Sequence, residues 1–70
     1  MGDAASRLTA RQESILRCLA QAKTYQETAD TLGLGYETVK SHMTKIRDKL
    51  GIRRKTELVV WALKNLEQNQ

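Results

Sequence analysis

Proline is absent from the 70-residue sequence, and cysteine and histidine occur once each. A single cysteine, Cys18, excludes an internal disulfide and is consistent with a reducing cytoplasm. Cys18 lies one helical turn from Ile15 and Ala22, so we interpret it as a small apolar side chain at the edge of a core. Because no second histidine or cysteine stands at ligand spacing, we expect no zinc or other metal site.

Several other features are missing. The sequence has no apolar run of about 20 residues, so we expect no membrane segment. Its first residues, MGDAASR, do not resemble a secretory signal, and we expect a cytoplasmic protein. It also has no glycine-rich phosphate loop and no Ser/His/Asp set, so an enzyme or a bound cofactor is not expected. A chain of this length is one small domain with one core.

Positive charge is concentrated in one part of the chain. Twelve basic and eight acidic residues give a net charge of +4. Residues 40–55 contain one acid, Asp48, and seven bases: Lys40, Lys45, Arg47, Lys49, Arg53, Arg54 and Lys55. Such a cluster is typical of a surface that binds a polyanion, because neutralised phosphates release counterions. The alternative is a solvated basic face on an ordinary helix.

The pattern of capping residues and glycines predicts an all-α fold. Thr9 and Gln12 have the spacing of a capping box, and Thr24 can cap a second helix. Gly33 and Gly51 are placed to end helices. The predicted helices are 10–22, 25–32, 36–50 and 55–67. A short helix, a glycine-containing turn and a longer basic helix form a helix-turn-helix pattern.

The third predicted helix has one apolar stripe, within about 60° on a helical wheel. The stripe contains Val39, Met43, Ile46 and Leu50. The opposite side has short polar groups in its centre and long cations at its margins. This arrangement suits a helix in a DNA major groove, where short groups approach the base edges and cations reach the phosphates.

Four short motifs strongly resemble the LuxR-type helix-turn-helix of the LuxR/GerE/FixJ group of bacterial transcription regulators. They are Leu8-Thr9-x-Arg11, Thr38-Val39-Lys40-x-His42, Lys49-Leu50-Gly51 and Thr56-Glu57-Leu58. The resemblance covers residues 8–66, with residues 1–7 as an N-terminal tail or linker and residues 67–70 as a C-terminal tail. It implies a four-helix domain whose third helix recognises double-stranded DNA and whose fourth helix dimerises.

By position, the resemblance implies base contacts from Lys40, Ser41 and Thr44. Glu37 is a further candidate, although the helix dipole alone also favours a carboxylate in the first turn. The implied phosphate contacts are Thr38 and Lys45, with support from the basic turn around Arg53 and Arg54. Lys49, a cation at the margin of the third helix, is a further predicted phosphate contact. His42 matches the family pattern, but we interpret it as a boundary side chain because it lies off the apolar stripe.

The sequence also departs from the family pattern. Acidic residues are usual where Gln12 and Ser14 stand, so we expect a weaker ion pair between the first helix and its neighbours. Thr28 stands at a usually aliphatic position, and Gly35 where a capping serine is common. Tyr25 and Gln26 replace residues that are often asparagine and lysine, which leaves fewer obvious phosphate donors at the start of the second helix.

The fourth helix is apolar on two sides. Leu58, Trp61, Ala62 and Leu66 can complete the core, whereas Thr56, Val59, Val60 and Leu63 then face outward. An exposed apolar stripe usually marks an interface, so we expect a two-fold homodimer with two recognition helices about one DNA turn apart. The alternative is a helix covered by the core on one side and by residues 1–7 on the other.

Two functions fit these features. We expect a sequence-specific DNA-binding transcription regulator, either an effector domain of a larger protein or a stand-alone regulator. The alternative is an interaction module that pairs with another LuxR-type regulator and blocks its DNA binding. Activation of transcription would also require a surface for RNA polymerase, which the sequence does not locate.

Overall fold

The structure is a computed structural model that describes the backbone of residues 8–67 and the side chains of residues 8–66. Within that range the chain forms four α-helices and no strand: α1 (Ala10–Ala20), α2 (Tyr25–Leu32), α3 (Tyr36–Leu50) and α4 (Lys55–Ala62), the last extended by a π-helical turn, Leu63–Glu67. The predicted all-α, four-helix fold is confirmed. The predicted N-terminal tail, residues 1–7, lies outside the described residues. Of the predicted C-terminal tail, residues 67–70, only the backbone of residue 67 is described.

Both predicted caps are present, and each is a complete capping box. In α1 the Gln12 backbone N–H donates to Thr9 Oγ1 at 3.1 Å, and the Thr9 N–H donates to Gln12 Oε1 at 3.1 Å. In α2 the Glu27 N–H donates to Thr24 Oγ1 at 3.0 Å, and the Thr24 N–H donates to Glu27 Oε1 at 2.9 Å. These bonds satisfy N–H groups that have no partner inside a helix.

The ends of α2 and α3 agree with the predictions, but the end of α1 does not. Gly33 and Gly51 follow α2 and α3 with φ of 69° and 68°. We predicted that the first helix continues to Ala22, and this is wrong because Ala22 itself takes a left-handed conformation, with φ of 67°. Its N–H donates to the Leu19 carbonyl at 2.9 Å, and the Lys23 N–H donates to the Cys18 carbonyl at 3.1 Å. This Schellman arrangement ends the helix without glycine.

The fourth helix is also less regular than predicted. We expected one α-helix to residue 67, but the backbone changes to π-helical geometry at Leu63. The Asn65 side-chain amide donates to the Trp61 carbonyl at 2.9 Å, and that carbonyl is the partner of the Asn65 N–H in a regular α-helix. Arg17 Nη1 in α1 donates to the Leu66 carbonyl at 3.0 Å. These side-chain bonds satisfy carbonyl groups at the wider turn.

The core is built around α1, which packs against α2, α3 and α4, and α2 also packs against α3. It contains Leu8, Ile15, Leu16, Leu19, Ala29, Val39, Met43, Ile46, Leu58, Ala62 and Leu66. Three residues of the predicted α3 stripe are fully buried, and the fourth, Leu50, is half-buried. Cys18 is buried at the edge of this core, as predicted. No helix in residues 8–67 has the length and apolar character needed to cross a membrane.

Candidate nucleic-acid interface

The face of α3 that points away from the core is a polar, accessible surface. Burial of Val39, Met43 and Ile46 on one side of α3 leaves the opposite side exposed, as a helical period requires. This exposed side carries all the predicted α3 contact residues: Glu37, Thr38, Lys40, Ser41, Thr44, Lys45 and Lys49. The Thr44 hydroxyl donates to the Lys40 carbonyl at 3.3 Å, which leaves its oxygen free to accept. His42 is half-buried, consistent with a boundary position.

A shallow cleft of about 260 Å³ lies on this face, between the first turns of α2 and the middle of α3. Its lining residues are Tyr25, Glu37, Lys40, Ser41, Thr44 and Arg47. The structure therefore brings the four predicted base-contact residues to one concave surface. Tyr25 and Arg47 complete the cleft, although sequence analysis did not include them in the site.

The cleft adjoins a cluster of two aromatic rings and three cations. Arg47 Nη2 donates to the Tyr25 hydroxyl at 2.9 Å. The Tyr25 and Tyr36 rings are 6.4 Å apart between centroids, at an angle of 50°. Lys55 Nζ lies 4.9 Å from the Tyr25 ring centroid, and Lys40 Nζ lies 5.6 Å from that of Tyr36. Both distances are within the range of cation–π attraction.

Sequence analysis missed this cluster because its members come from three helices. We expected fewer obvious phosphate donors at the start of α2, because Tyr25 and Gln26 replace residues that are often asparagine and lysine. The structure instead places Arg47 and Lys55 against Tyr25, so positive charge reaches this edge from α3 and α4. The sequence did contain one indication of the cluster, because Tyr25 and Tyr36 are two of its three aromatic residues.

The predicted phosphate-contact residues lie in two groups. Thr38 and Lys45 are exposed on α3, and Arg53 and Arg54 are exposed in the turn between α3 and α4. Lys49 differs because its Nζ donates to Gln12 Oε1 at 3.0 Å.

The Lys49 bond also bears on the expectation that Gln12 weakens the link between α1 and its neighbours. Gln12 is only 4% exposed, and its Oε1 accepts from both Thr9 and Lys49. A hydrogen bond from the Lys49 ammonium to the neutral Gln12 amide thus joins α1 to α3.

The outward side of α4 is apolar, as its sequence suggests. Val60 and Leu63 are 49% and 43% exposed, Thr56 is exposed, and Val59 is half-buried against the core. Thr56, Val59 and Val60 form one wall of an apolar groove of about 530 Å³. The other wall includes Leu19, Ala20, Ala22, Lys23 and Thr24, with Lys55 at the edge. The side of α4 with Leu58, Ala62 and Leu66 is buried, and Trp61 is half-buried.

No group of three or more His, Cys, Asp or Glu side chains in the described part of the chain could hold a metal ion.

Comparison with known proteins gives a family match across most of the chain. The sequence profile described as "Bacterial regulatory proteins, luxR family" matches residues 6–62. The methanol utilization control regulatory protein MoxX of Paracoccus denitrificans is 35% identical over 66 residues, which cover 94% of this chain and 30% of MoxX. The transcriptional regulatory protein LiaR of Bacillus subtilis is 38% identical over 58 residues, covering 83% of this chain and 28% of LiaR.

The oxygen regulatory protein NreC of Staphylococcus aureus is 40% identical over 57 residues, covering 81% of this chain and 26% of NreC. This chain thus corresponds to less than a third of the length of each of these three relatives, with shares of 30%, 28% and 26%.

Proposed function

The chain belongs to the luxR family of bacterial regulatory proteins, and from that premise we propose that it binds double-stranded DNA sequence-specifically as part of a transcription regulator, with α3 in the major groove. The observation that carries this proposal is the cleft on α3. Glu37, Lys40, Ser41 and Thr44 line it together, and cations lie beside it on α3 and α4.

The side chains at this surface suit base recognition. Lys40 can donate to O6 and N7 of guanine, and Ser41 can donate to or accept from a base edge. Thr44 already donates its hydroxyl proton to the Lys40 carbonyl, so its oxygen and methyl group remain for an amino group or a thymine methyl. Glu37 can accept from the cytosine amino group, in addition to its favourable position at the helix N-terminus.

Residues around these positions can hold the DNA backbone. The predicted phosphate contacts Thr38, Lys45, Arg53 and Arg54 are all exposed, which supports this role. An ammonium group has three donors, so Lys49 can bind a phosphate while it keeps its bond to Gln12. Such contacts set the position of the protein on DNA, and base contacts set the sequence preference.

We further propose that the protein forms a homodimer through α4. The exposed fractions of Val60 and Leu63, 49% and 43%, support a second copy as the cover for this face, with Thr56 and Val59 at its border. A two-fold axis through α4 gives two copies of α3 that can enter successive major grooves, one DNA turn apart.

DNA binding is tested with fluorescence anisotropy on random-sequence duplexes across a salt series. We expect tight binding at low salt that weakens steeply as salt rises. Lys45→Ala should weaken binding to all sequences and reduce the slope against log salt concentration by about one unit. Lys64→Ala is the matched control, since it removes an exposed cation from the far end of α4. A folded chain that binds no duplex at low salt would refute the proposal.

Base reading is tested after selection of a preferred site from the bound pool. Lys40→Ala should relax the preference at one base pair, at a cost of about 1–3 kcal/mol. An equal loss on every sequence would instead identify Lys40 as a phosphate contact only.

The dimer is tested with Val60→Glu, measured by sedimentation and by DNA affinity. A carboxylate in an apolar interface is costly to desolvate, so we expect monomers and weaker binding to a two-fold site. Thr31→Glu is the sedimentation control, because Thr31 is exposed on α2. Unchanged sedimentation and affinity in Val60→Glu would eliminate this interface.

The exposed apolar side of α4 also supports a second candidate function, in which the chain pairs with another regulator of the same family and blocks its DNA binding. Both functions use Val60 and Leu63, but only the first requires that the isolated chain binds DNA. The anisotropy experiment therefore separates them.

A further inference from the structure

Lys40 is a long, flexible side chain at the position where the proposed function requires a defined donor. Its four-carbon stem has many rotamers, and this conformational freedom is lost when the ammonium is held at a base edge. A free Lys40 could also turn toward a phosphate, where it would add affinity without sequence preference. Discrimination therefore depends on where the ammonium lies before DNA arrives.

The Tyr36 ring supplies a place for that ammonium. Tyr36 is the first residue of α3 and Lys40 lies one turn later, so their side chains meet on one side of the helix. Lys40 Nζ is 5.6 Å from the Tyr36 ring centroid. Only one side of the ammonium faces the ring, so its other N–H donors remain available to a base.

The Tyr36 ring itself contacts a ring that is anchored from two other directions. Tyr25 in α2 packs against Tyr36 at 6.4 Å between centroids. Arg47 bonds the Tyr25 hydroxyl at 2.9 Å, and Lys55 lies 4.9 Å from the Tyr25 centroid on α4. Interactions with α2, α3 and α4 thus limit the positions that the two rings can occupy.

We propose that Tyr36 is a specificity-determining positioning residue, which holds the Lys40 ammonium over its ring and so directs it to a base edge instead of a phosphate. This inference rests on the proposed function, because it assumes that Lys40 reads a base pair. It goes beyond that function in assigning a role in discrimination to Tyr36, a residue outside the base-contact and phosphate-contact sets.

The central test compares Tyr36→Leu with the unchanged protein on two duplexes: the preferred site, and the same site altered at the base pair for which Lys40→Ala loses preference. An exposed cation–π contact predicts that the affinity ratio between the duplexes falls about two- to fivefold in Tyr36→Leu. Affinity for the altered duplex and the slope against salt should not fall, since Lys40 keeps its charge and, once released from the ring, can turn toward a phosphate.

Three variants make this test specific. Tyr36→Phe keeps the ring and should retain the full affinity ratio. Tyr25→Phe keeps the ring that packs against Tyr36 and loses only the Arg47 bond, so the affinity ratio should fall by less than it does in Tyr36→Leu. In the Lys40→Ala background, Tyr36→Leu should have no further effect on the ratio, because the group that Tyr36 positions is absent.

A second readout does not depend on DNA. In NMR spectra of the free protein, the ε-methylene protons of Lys40 should be shifted upfield by the Tyr36 ring, and Tyr36→Leu should remove this shift. Lys64, which is exposed in the π-helical turn that follows α4, provides the reference shift of an exposed lysine. Absence of the shift in the unchanged protein would overturn the inference.

The outcomes separate the inference from the function beneath it. An equal loss on both duplexes in Tyr36→Leu would make Tyr36 a backbone contact and overturn the positioning role alone. A Lys40→Ala variant without a base-specific loss would refute base reading by Lys40, and the inference with it. Failure of the folded, unchanged protein to bind any duplex would refute the proposed function itself.

Discussion

Replacement of Thr28 by valine should stabilise the protein, because Thr28 buries a hydroxyl without a partner. Its side chain is fully buried in α2, and among the described residues no donor or acceptor pairs with Oγ1. A hydroxyl left in this state loses its hydrogen bonds to water on folding. Valine has nearly the same shape, with a methyl group in place of the hydroxyl.

The magnitude follows from two contributions. An unsatisfied buried polar group costs about 1–3 kcal/mol, and burial of one methyl group is favourable by about 0.8 kcal/mol. Helix propensities of threonine and valine are close, so they add little. Allowing for some relaxation around the site, we expect a gain of about 1–2 kcal/mol. For a domain of this size that corresponds to a rise in Tm of roughly 5–15 °C.

The assay is urea unfolding monitored by circular dichroism, together with thermal melts. Thr31→Val on the exposed side of α2 is the matched control and should change stability by less than about 0.5 kcal/mol. Thr28→Ser keeps the hydroxyl but loses the methyl group, so it should destabilise. If Thr28→Val were no more stable than the unchanged protein, the reasoning about an unpartnered hydroxyl would be refuted.

Three further changes are predicted from the backbone and the caps. Ala22→Gly should stabilise by about 1 kcal/mol in denaturant unfolding, since glycine takes a φ of 67° without strain; a loss of stability would contradict this account of the α1 end. Gly35→Ser should add a few tenths of a kcal/mol by capping α3, which has no side-chain cap, and a Cβ there meets only Thr38 Oγ1 at 3.9 Å. Gln12→Glu should stabilise by about 0.5–1 kcal/mol at neutral pH by pairing with Lys49. That pairing lowers the carboxyl pKa in the folded state, so the gain is present above the ordinary value of about 4.3 and is lost as pH falls below it; a gain that persists at pH 2 would rule out the ion pair.

Most of the fold could be predicted from the sequence because its signals are local. A capping box joins residues three positions apart, as with Thr9 and Gln12 or Thr24 and Glu27. Gly33 and Gly51 end their helices through their own backbone conformations. The apolar stripe of α3 repeats with the helical period, so burial of Val39, Met43 and Ile46 also defines the exposed side with the predicted DNA contacts. These features depend on bonds and periods within a few residues.

Two helix ends could not be predicted in this way. At Ala22 the backbone is left-handed although no glycine in the sequence predicts it. The hydrogen bond from the Lys23 N–H to the Cys18 carbonyl ends the helix there. At Leu63 the change to a π-helical turn accompanies the Arg17 bond to the Leu66 carbonyl, between residues 49 positions apart. Such contacts depend on how α1 and α4 pack, which no local pattern encodes.

One part of the candidate site could likewise be predicted from local sequence patterns, and another part could not. The core side and the polar side of α3 can be predicted from the sequence alone, because a regular helix relates its residues by a constant rotation. The cluster beside Lys40 depends on the tertiary structure, since it forms where α2, α3 and α4 meet. Its members are Tyr25, Tyr36, Arg47 and Lys55. Side chains from separate helices become neighbours because the helices pack on a common core, and their separation along the sequence does not predict these contacts.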